Sequence, residues 1–237
     1  MRIEGSVALV TGANRGIGAS IVEALLERGA AKVYAAMRKP ERATNARVVP
    51  TALDVTDADA IARLAKEVGD VSLLVNNAGI TQTQRLLNTE HPDAAEQEMR
   101  VNYFGTLAMV RAFAPVLARN GGGAIVNMLS ILARVNGPRI GSYSASKAAA
   151  FSLTQGIRGE LASQGTLVIG VMPGFVDTDM VRHVTAPKIS PREVASDVAE
   201  AIEKGIEDVY PGTAAGIAAM LLREPKSVER QFATMFA

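Results

Sequence analysis

Thr11-Gly12-Ala13-Asn14-Arg15-Gly16-Ile17-Gly18 lies between a short apolar run and a stretch of helical character. Glycines at 12, 16 and 18 allow a tight turn, a close approach of backbone to a ligand, and close packing of helix on sheet. The N-terminus of the following helix offers free N–H groups and a partial positive charge to a diphosphate. The spacing, G-x-x-x-G-x-G, differs from the G-x-G-x-x-G dinucleotide fingerprint. A glycine-rich turn with no ligand also fits it, but its place between first strand and first helix favours phosphate. The candidate contacts here are Gly12, Asn14, Arg15, Gly16, Ile17 and Gly18.

The second apolar run ends Ala35-Ala36-Met37-Arg38-Lys39, and no Asp or Glu occurs between Glu27 and Glu41. An acid at that place bonds a ribose 2′-hydroxyl, whereas arginine accommodates a 2′-phosphate. Arg38, with Arg15 on the same side, therefore suits NADP(H) over NAD(H). Arg38 and Lys39 also fit a solvated turn. Further along, Tyr143 and Lys147 stand four residues apart at the start of a helical stretch and share a face. Alone, that spacing equally describes a surface pair. Ser130 lies 13 residues upstream of Tyr143, at the end of an apolar run. Ligands in open α/β sheets bind at the carboxyl ends of the strands. Asn102 sits inside a long helical stretch, where a polar side chain also fits an exposed face.

The elements that must position these residues alternate along the chain. Short β-branched runs occur at Val7–Val10, Lys32–Ala36, Val48–Leu53, Ser72–Val75, Ala124–Met128 and Leu167–Val171. Most are apolar on consecutive residues, as strands buried on both faces are. Between them, Ile17–Arg28, Ala58–Val68, Asp93–Arg119 and Tyr143–Ser163 read as helices. Ser190-Pro191-Arg192-Glu193 is a capping box with Pro at the first helical position and starts another. Gly29 suits a helix C-terminal cap. Only Arg38 to Arg47, with Pro40 inside, joins the second and third strands, which predicts a loop or one helical turn. The alternation predicts an α/β fold: a Rossmann-type doubly wound parallel sheet of about seven strands, with helices on both faces.

Composition narrows the function. The 237 residues fit one domain spanning 1–237. Apolar residues are 48% and charged residues 21%, which excludes wholesale disorder. Twenty-five basic against 24 acidic side chains leave +1, no footprint for nucleic acid or an acidic membrane. With no cysteine and two histidines, His91 and His183, no metal centre is expected. The first residues lack a signal peptide's apolar stretch, and no apolar run approaches the roughly 20 residues of a membrane span. A cytoplasmic protein is the expectation.

Together these residues resemble the short-chain dehydrogenase/reductase superfamily in its compact, non-extended branch. The matching motifs are Thr11-Gly12-x-x-x-Gly16-Ile17-Gly18, Asp54-Val55, Asn76-Asn77-Ala78-Gly79, Asn102, Ser130, Tyr143-x-x-x-Lys147 and Pro173-Gly174-x-Val176-x-Thr178. They span residues 11 to 178 in the family's order. The resemblance implies a hydride transfer between NADP(H) and a carbonyl or secondary alcohol, with Tyr143 as general acid or base. It implies that Ser130 holds the substrate oxygen, that Lys147 bonds the nicotinamide ribose, and that Asn102 holds a water continuing the proton path. Asp54 and Val55 are expected at the adenine, and Asn76, Ala78 and Gly79 beside the adenosine ribose and the central sheet. Pro173, Gly174, Val176 and Thr178 are expected to shape the nicotinamide site. A free tyrosine has a pKa near 10, and a nearby ammonium and the positive nicotinamide ring are expected to lower it. The alternative is a non-catalytic NADP(H)-binding regulator on the same fold; the four intact residues Asn102, Ser130, Tyr143 and Lys147 argue for an enzyme.

The segment from Asp179 to Ile189 is short for a substrate lid, so a relatively open site with a short substrate loop around 179–190 is expected. Leu132, Val135, Ile140, Phe175, Met180 and His183 are the candidate lining. They do not select among ketones, aldehydes, steroids and aromatic carbonyls. His183 also fits an exposed loop. Small and apolar positions extend around Asp93–Arg119 and Tyr143–Ser163 beyond one core stripe. With the apolar stretch Ala214–Leu222, they predict a homotetramer, with a dimer as runner-up.

Overall fold

Buried apolar runs alternating with amphipathic helices leave few ways to hide both faces of a sheet. The computed structural model, which describes residues 1–87 and 89–236, adopts the doubly wound one. Seven parallel strands run in the order β3-β2-β1-β4-β5-β6-β7. They are β1 Val7–Thr11, β2 Lys32–Met37, β3 Val48–Ala52, β4 Leu73–Asn76, β5 Ala124–Met128, β6 Leu167–Val171 and β7 Asp208–Val209. The seventh, only two residues long, carries no periodic signal and is the strand the apolar runs do not reveal.

Strand side chains alternate between two cores. Ala8 and Val10 of β1 face one cluster with α1 (Gly16–Glu27) and α6 (Pro191–Lys204). Leu9 faces the other, with α2 (Ala58–Glu67), α4 (Thr106–Arg119) and α5 (Gly141–Leu161). Such two-sided burial is why the strands read as unbroken apolar runs. Phe113, fully buried on α4, anchors the second core. The order reverses between β1 and β4, which opens a crevice at their carboxyl ends.

The expected helix over Asp93–Arg119 is divided. A regular turn, α3 (Ala94–Met99), leads into a π-helical turn, Arg100–Gly105, before α4. An 18-residue window of this 26-residue stretch has a mean hydropathy of 1.3, enough by length and composition to cross a membrane. Arg100, Asn102 and Arg111 break it, so no apolar run in it approaches the roughly 20 residues of a span. Here it is a core helix, with Met109, Val110, Phe113, Val116 and Leu117 buried. The segment 38–47 contains no helix, and Arg47 pins it by donating to Leu26 O (3.2 Å) and Ala30 O (3.1 Å). Beyond β7 the chain forms a helical hairpin, α7 (Ala214–Arg223) and α8 (Pro225–Met235).

Candidate active site

The crevice is a cavity of about 1820 Å³ along the carboxyl ends of β1, β4, β5 and β6. Thr11 clamps its floor: the hydroxyl donates to Val75 O (3.3 Å) and accepts from Asn77 N and Ala78 N (3.0 Å each). Asn77 returns the tie, its amide donating to Thr11 O (2.9 Å) and Gly12 O (3.1 Å). A Cβ at residue 18 would sit 2.2 Å from Gly12 O, so only glycine lets α1 approach this closely. Gly12 takes φ +65°, with room for a Cβ closed off at 3.0 Å by Ala78 Cα. No side chain caps α1 and no acid lies in its first turn, so its N–H groups face the crevice unspent. A cradle whose space a Cβ would fill, ending in an uncapped helix, fits a dinucleotide diphosphate.

Most of the expected residues line this cavity: the glycine-loop set, Arg38, Asp54, Val55, Ala78, Gly79, Ser130, Tyr143, Lys147, Pro173, Gly174, Val176 and Thr178. The Asp54 carboxylate accepts from Thr56 N (2.9 Å) and Thr56 Oγ1 (2.7 Å). Those bonds, with the nearby Arg38 and Arg100 guanidiniums, hold its pKa below the usual range.

Asn76 and Asn102 lie behind the wall. Asn76, last in β4, turns into the sheet and donates to Asn127 Oδ1 (2.9 Å), which relays to Thr154 on α5 (3.0 Å). The next residue, Asn77, alternates to the cleft instead. Asn102 is buried in the π-helical turn. Its amide donates to Ile80 O and Ser146 Oγ and its carbonyl accepts from Ile80 N, all at 2.9 Å. Through these bonds the side chain fixes the Gly79-Ile80 turn. Its carbonyl oxygen and Lys147 Nζ flank Gly79, at 3.1 and 3.4 Å from where a Cβ would stand.

Arg15 is also placed differently. Its guanidinium bonds Asp179 (2.8 Å) across the cleft mouth, whereas the expectation turned it to the same phosphate as Arg38. The pair is largely exposed, and such pairs contribute at most about 1 kcal/mol, so a phosphate competes readily for Arg15.

Around the chemistry, Ser130 Oγ accepts from Leu132 N (3.2 Å), and Ser130 and Tyr143 line the same cavity. Lys147 Nζ donates to Met128 O (2.8 Å) and lies 5.8 Å from the centre of the Tyr143 ring. Burial pushes the Lys147 ammonium down to about 8. It pushes the Tyr143 phenol up to about 12, against an opposing pull from the Ser130 side chain and with a further push from Glu98. In the protein alone burial outweighs the expected lowering of Tyr143, an expectation that also counted the positive charge of a bound nicotinamide ring.

Two features escaped the sequence. Glu98 on α3 is fully buried; Oε1 accepts from Gln82 N (2.6 Å) and Oε2 has no protein partner. Ser142 Oγ on α5 is likewise buried without one. Nothing in the charge pattern marks Glu98 as internal. The second feature is α8. Val228, Phe232 and Phe236 recur every four residues, a legible helical stripe, but the stripe does not say what it covers. It covers the site, where Phe232, Met235 and Phe236 line the cavity beside Phe175. Of the candidate lining, Leu132, Ile140, Phe175 and Met180 face the cavity. Val135 packs instead under α8, and His183 is an exposed residue off the wall. The site is therefore less open than the short 179–190 loop suggests.

This fold and this constellation define a class. The family described as short chain dehydrogenase matches residues 6–188, and the chain belongs to that family and is an oxidoreductase. Among its relatives, the 3-oxoacyl-(acyl-carrier-protein) reductase of Vibrio harveyi is 33% identical over 220 residues, 84% of this chain and 90% of that one. The galactitol 2-dehydrogenase (L-tagatose-forming) of Cereibacter sphaeroides is 40% identical over 194 residues, 76% of this chain and 74% of that one. A solved short chain dehydrogenase from Burkholderia cenocepacia J2315, in complex with NADP, is 51% identical with a TM-score of 0.93. The alignment covers 98% of this chain and 99% of that one.

Proposed function

We propose that the protein is an NADP(H)-dependent reductase of a ketone or aldehyde, able to run in reverse on the secondary alcohol. The observation that carries this reading is the meeting of Ser130, Tyr143 and Lys147 in one cavity with the glycine cradle, Lys147 Nζ lying 5.8 Å from the centre of the Tyr143 ring. When bound, the cofactor supplies the hydride for the carbonyl carbon. Tyr143 donates its proton to the carbonyl oxygen, and the Ser130 hydroxyl stabilises the charge that builds there. Lys147 holds the nicotinamide ribose, and Asn102 positions the turn that Lys147 packs against. The adenosine end is assigned to Asp54, Val55, Ala78 and Gly79, and the nicotinamide end to Pro173, Gly174, Val176 and Thr178.

NADP(H) over NAD(H) rests on Arg38 and Arg15, and the NADP complex of the Burkholderia cenocepacia relative supports it. Arg38→Ala is expected to raise KM for NADPH far more than for NADH. A hydrogen bond to a charged group is worth about 1.5–3 kcal/mol, or roughly ten- to a hundredfold. Steady-state assays with both cofactors check this, and a wild-type preference for NADH would contradict it. A silent regulator is not favoured, since it has no need of Ser130, Tyr143 and Lys147 together.

The whole chain is read as one domain with a substrate loop at 179–190, acting in the cytoplasm. The assembly proposed is a homotetramer. Ala145, Ala148, Ser152 and Gly156 form an exposed small-residue stripe on α5, and Phe104 before α4 is 56% exposed. In the Ala214–Leu222 stretch, Ile217 and Leu221 pack within the subunit, leaving Met220 and Leu222 exposed for a partner.

A further inference from the structure

The Tyr143 ring packs into an apolar cluster that the hairpin α7–α8 builds with Leu132, Ile140, Ile217, Phe232 and Phe236. Everything that α7, α8 and segment 131–140 present to the cavity is apolar, and Thr213, just before α7, adds one hydroxyl. Three rings form one wall: Phe175 to Phe236 at 6.3 Å and Phe232 to Phe236 at 5.8 Å between centres. These spacings fall in the range where aromatic rings attract one another edge-to-face or offset. The wall is fixed. Arg139 N donates to Phe236 O (3.2 Å), and a Cβ at Gly137 would strike the Phe236 ring at 2.7 Å, so the ring lies flush on that loop. A polyhydroxylated substrate would leave hydroxyls buried here without partners, at a penalty of roughly tenfold or more each.

We propose that the substrate is an aryl carbonyl compound, an aromatic ketone or aldehyde with no hydroxyl or charged group beside the carbonyl. The inference rests on the carbonyl-reductase reading and goes beyond it to the substrate class. Reduction would break the C=O π bond, add the NADPH hydride to carbon and the Tyr143 proton to oxygen, and yield the alcohol and NADP⁺, with a proton from water restoring the Tyr143 phenol. The ring of the substrate stacks on Phe232 and Phe236 while its carbonyl oxygen meets Ser130 and Tyr143.

The test uses the full chain with NADPH and compares acetophenone and propiophenone with L-tagatose. NADPH binding is followed separately by fluorescence titration. The expected kcat/KM for the better aryl ketone exceeds that for L-tagatose by at least about a hundredfold, two unpaired hydroxyls' worth. Phe236→Ala is expected to lower kcat/KM for the aryl ketone about tenfold, with Phe236→Leu between it and wild type and NADPH affinity unchanged in both. Calorimetric binding of the aryl ketone to NADPH-loaded Tyr143→Phe, which holds substrate without turning it over, is expected to weaken in parallel when Phe236→Ala is added. L-Tagatose reduced as well as the aryl ketones would overturn the substrate class and leave the reductase reading standing. NADPH binding with no carbonyl reduced at all would overturn both.

Discussion

Burial acts on Tyr143 and Lys147 in the same sense, favouring the neutral phenol and the neutral amine. Lys147 keeps a pKa of about 8 in the fold against 10.5 for the free side chain. Between those two values the unfolded chain holds a proton that the folded protein has lost, so stability contributed at this site rises with pH. Below pH 8 both states are protonated, and the cost of a buried ammonium is fully present. Tyr143 has the opposite sign: with a folded value of about 12, it loses stability between pH 10 and 12 as the unfolded phenol ionises first. Lys147→Met removes only the first effect. Urea unfolding of both proteins should therefore show wild type gaining about 2–3 kcal/mol relative to the variant between pH 7 and pH 10. A stability difference that does not change with pH would contradict the buried-cation account. The site residues on the cavity wall were legible because their spacing is local: Tyr143 and Lys147 share a helix face, and Ser130 ends a strand. The orientations of Asn76 and Asn102 were not, because each depends on partners 20 or more residues away, Asn127 and Ile80.

At the scale of elements, the strand that ends in Thr11, the turn and α1 act as one device. Gly18 is its tightest point, since any Cβ there meets the Gly12 carbonyl at 2.2 Å. Gly18→Ala must push α1 off the strand. Overpacking of this kind costs about 1–3 kcal/mol, which lowers Tm by roughly 2–12 °C in a domain of this size. NADPH affinity should fall at least tenfold, since the N–H groups of α1 move with the helix; calorimetry and fluorescence titration check the two effects. An unchanged dissociation constant would contradict the cradle. Six of the seven strands were legible, most because burial on both faces leaves unbroken apolar runs, and the edge strand β3, with no buried residue, from its β-branched residues. β7 was not, because two residues carry no period. The helix over Asp93–Arg119 was legible as a helix but not its π-helical turn, which forms where Asn102 and Glu98 are drawn inward to the Ile80 and Gln82 backbone.

At the scale of the molecule, the C-terminal hairpin changes what the chain is for. The apolar stretch Ala214–Leu222 was expected at a subunit interface, since composition shows that a face is apolar but not which surface it meets. In the fold, Phe232 and Phe236 close the substrate side of the cleft, and Ile217 and Leu221 pack within the subunit. The exposed stripe on α5 remains for a partner. Light scattering after size exclusion should give about four times the 24.9 kDa chain mass; a mass near 25 kDa at micromolar concentration would contradict both tetramer and dimer. The central claim is that the cleft reduces a carbonyl with Tyr143 as its acid. Tyr143→Phe tests it most directly, because only the hydroxyl is removed. NADPH oxidation on adding an aryl ketone should fall at least about a hundredfold, the share general acid catalysis contributes, with NADPH affinity unchanged. Turnover near the wild-type rate would contradict the account.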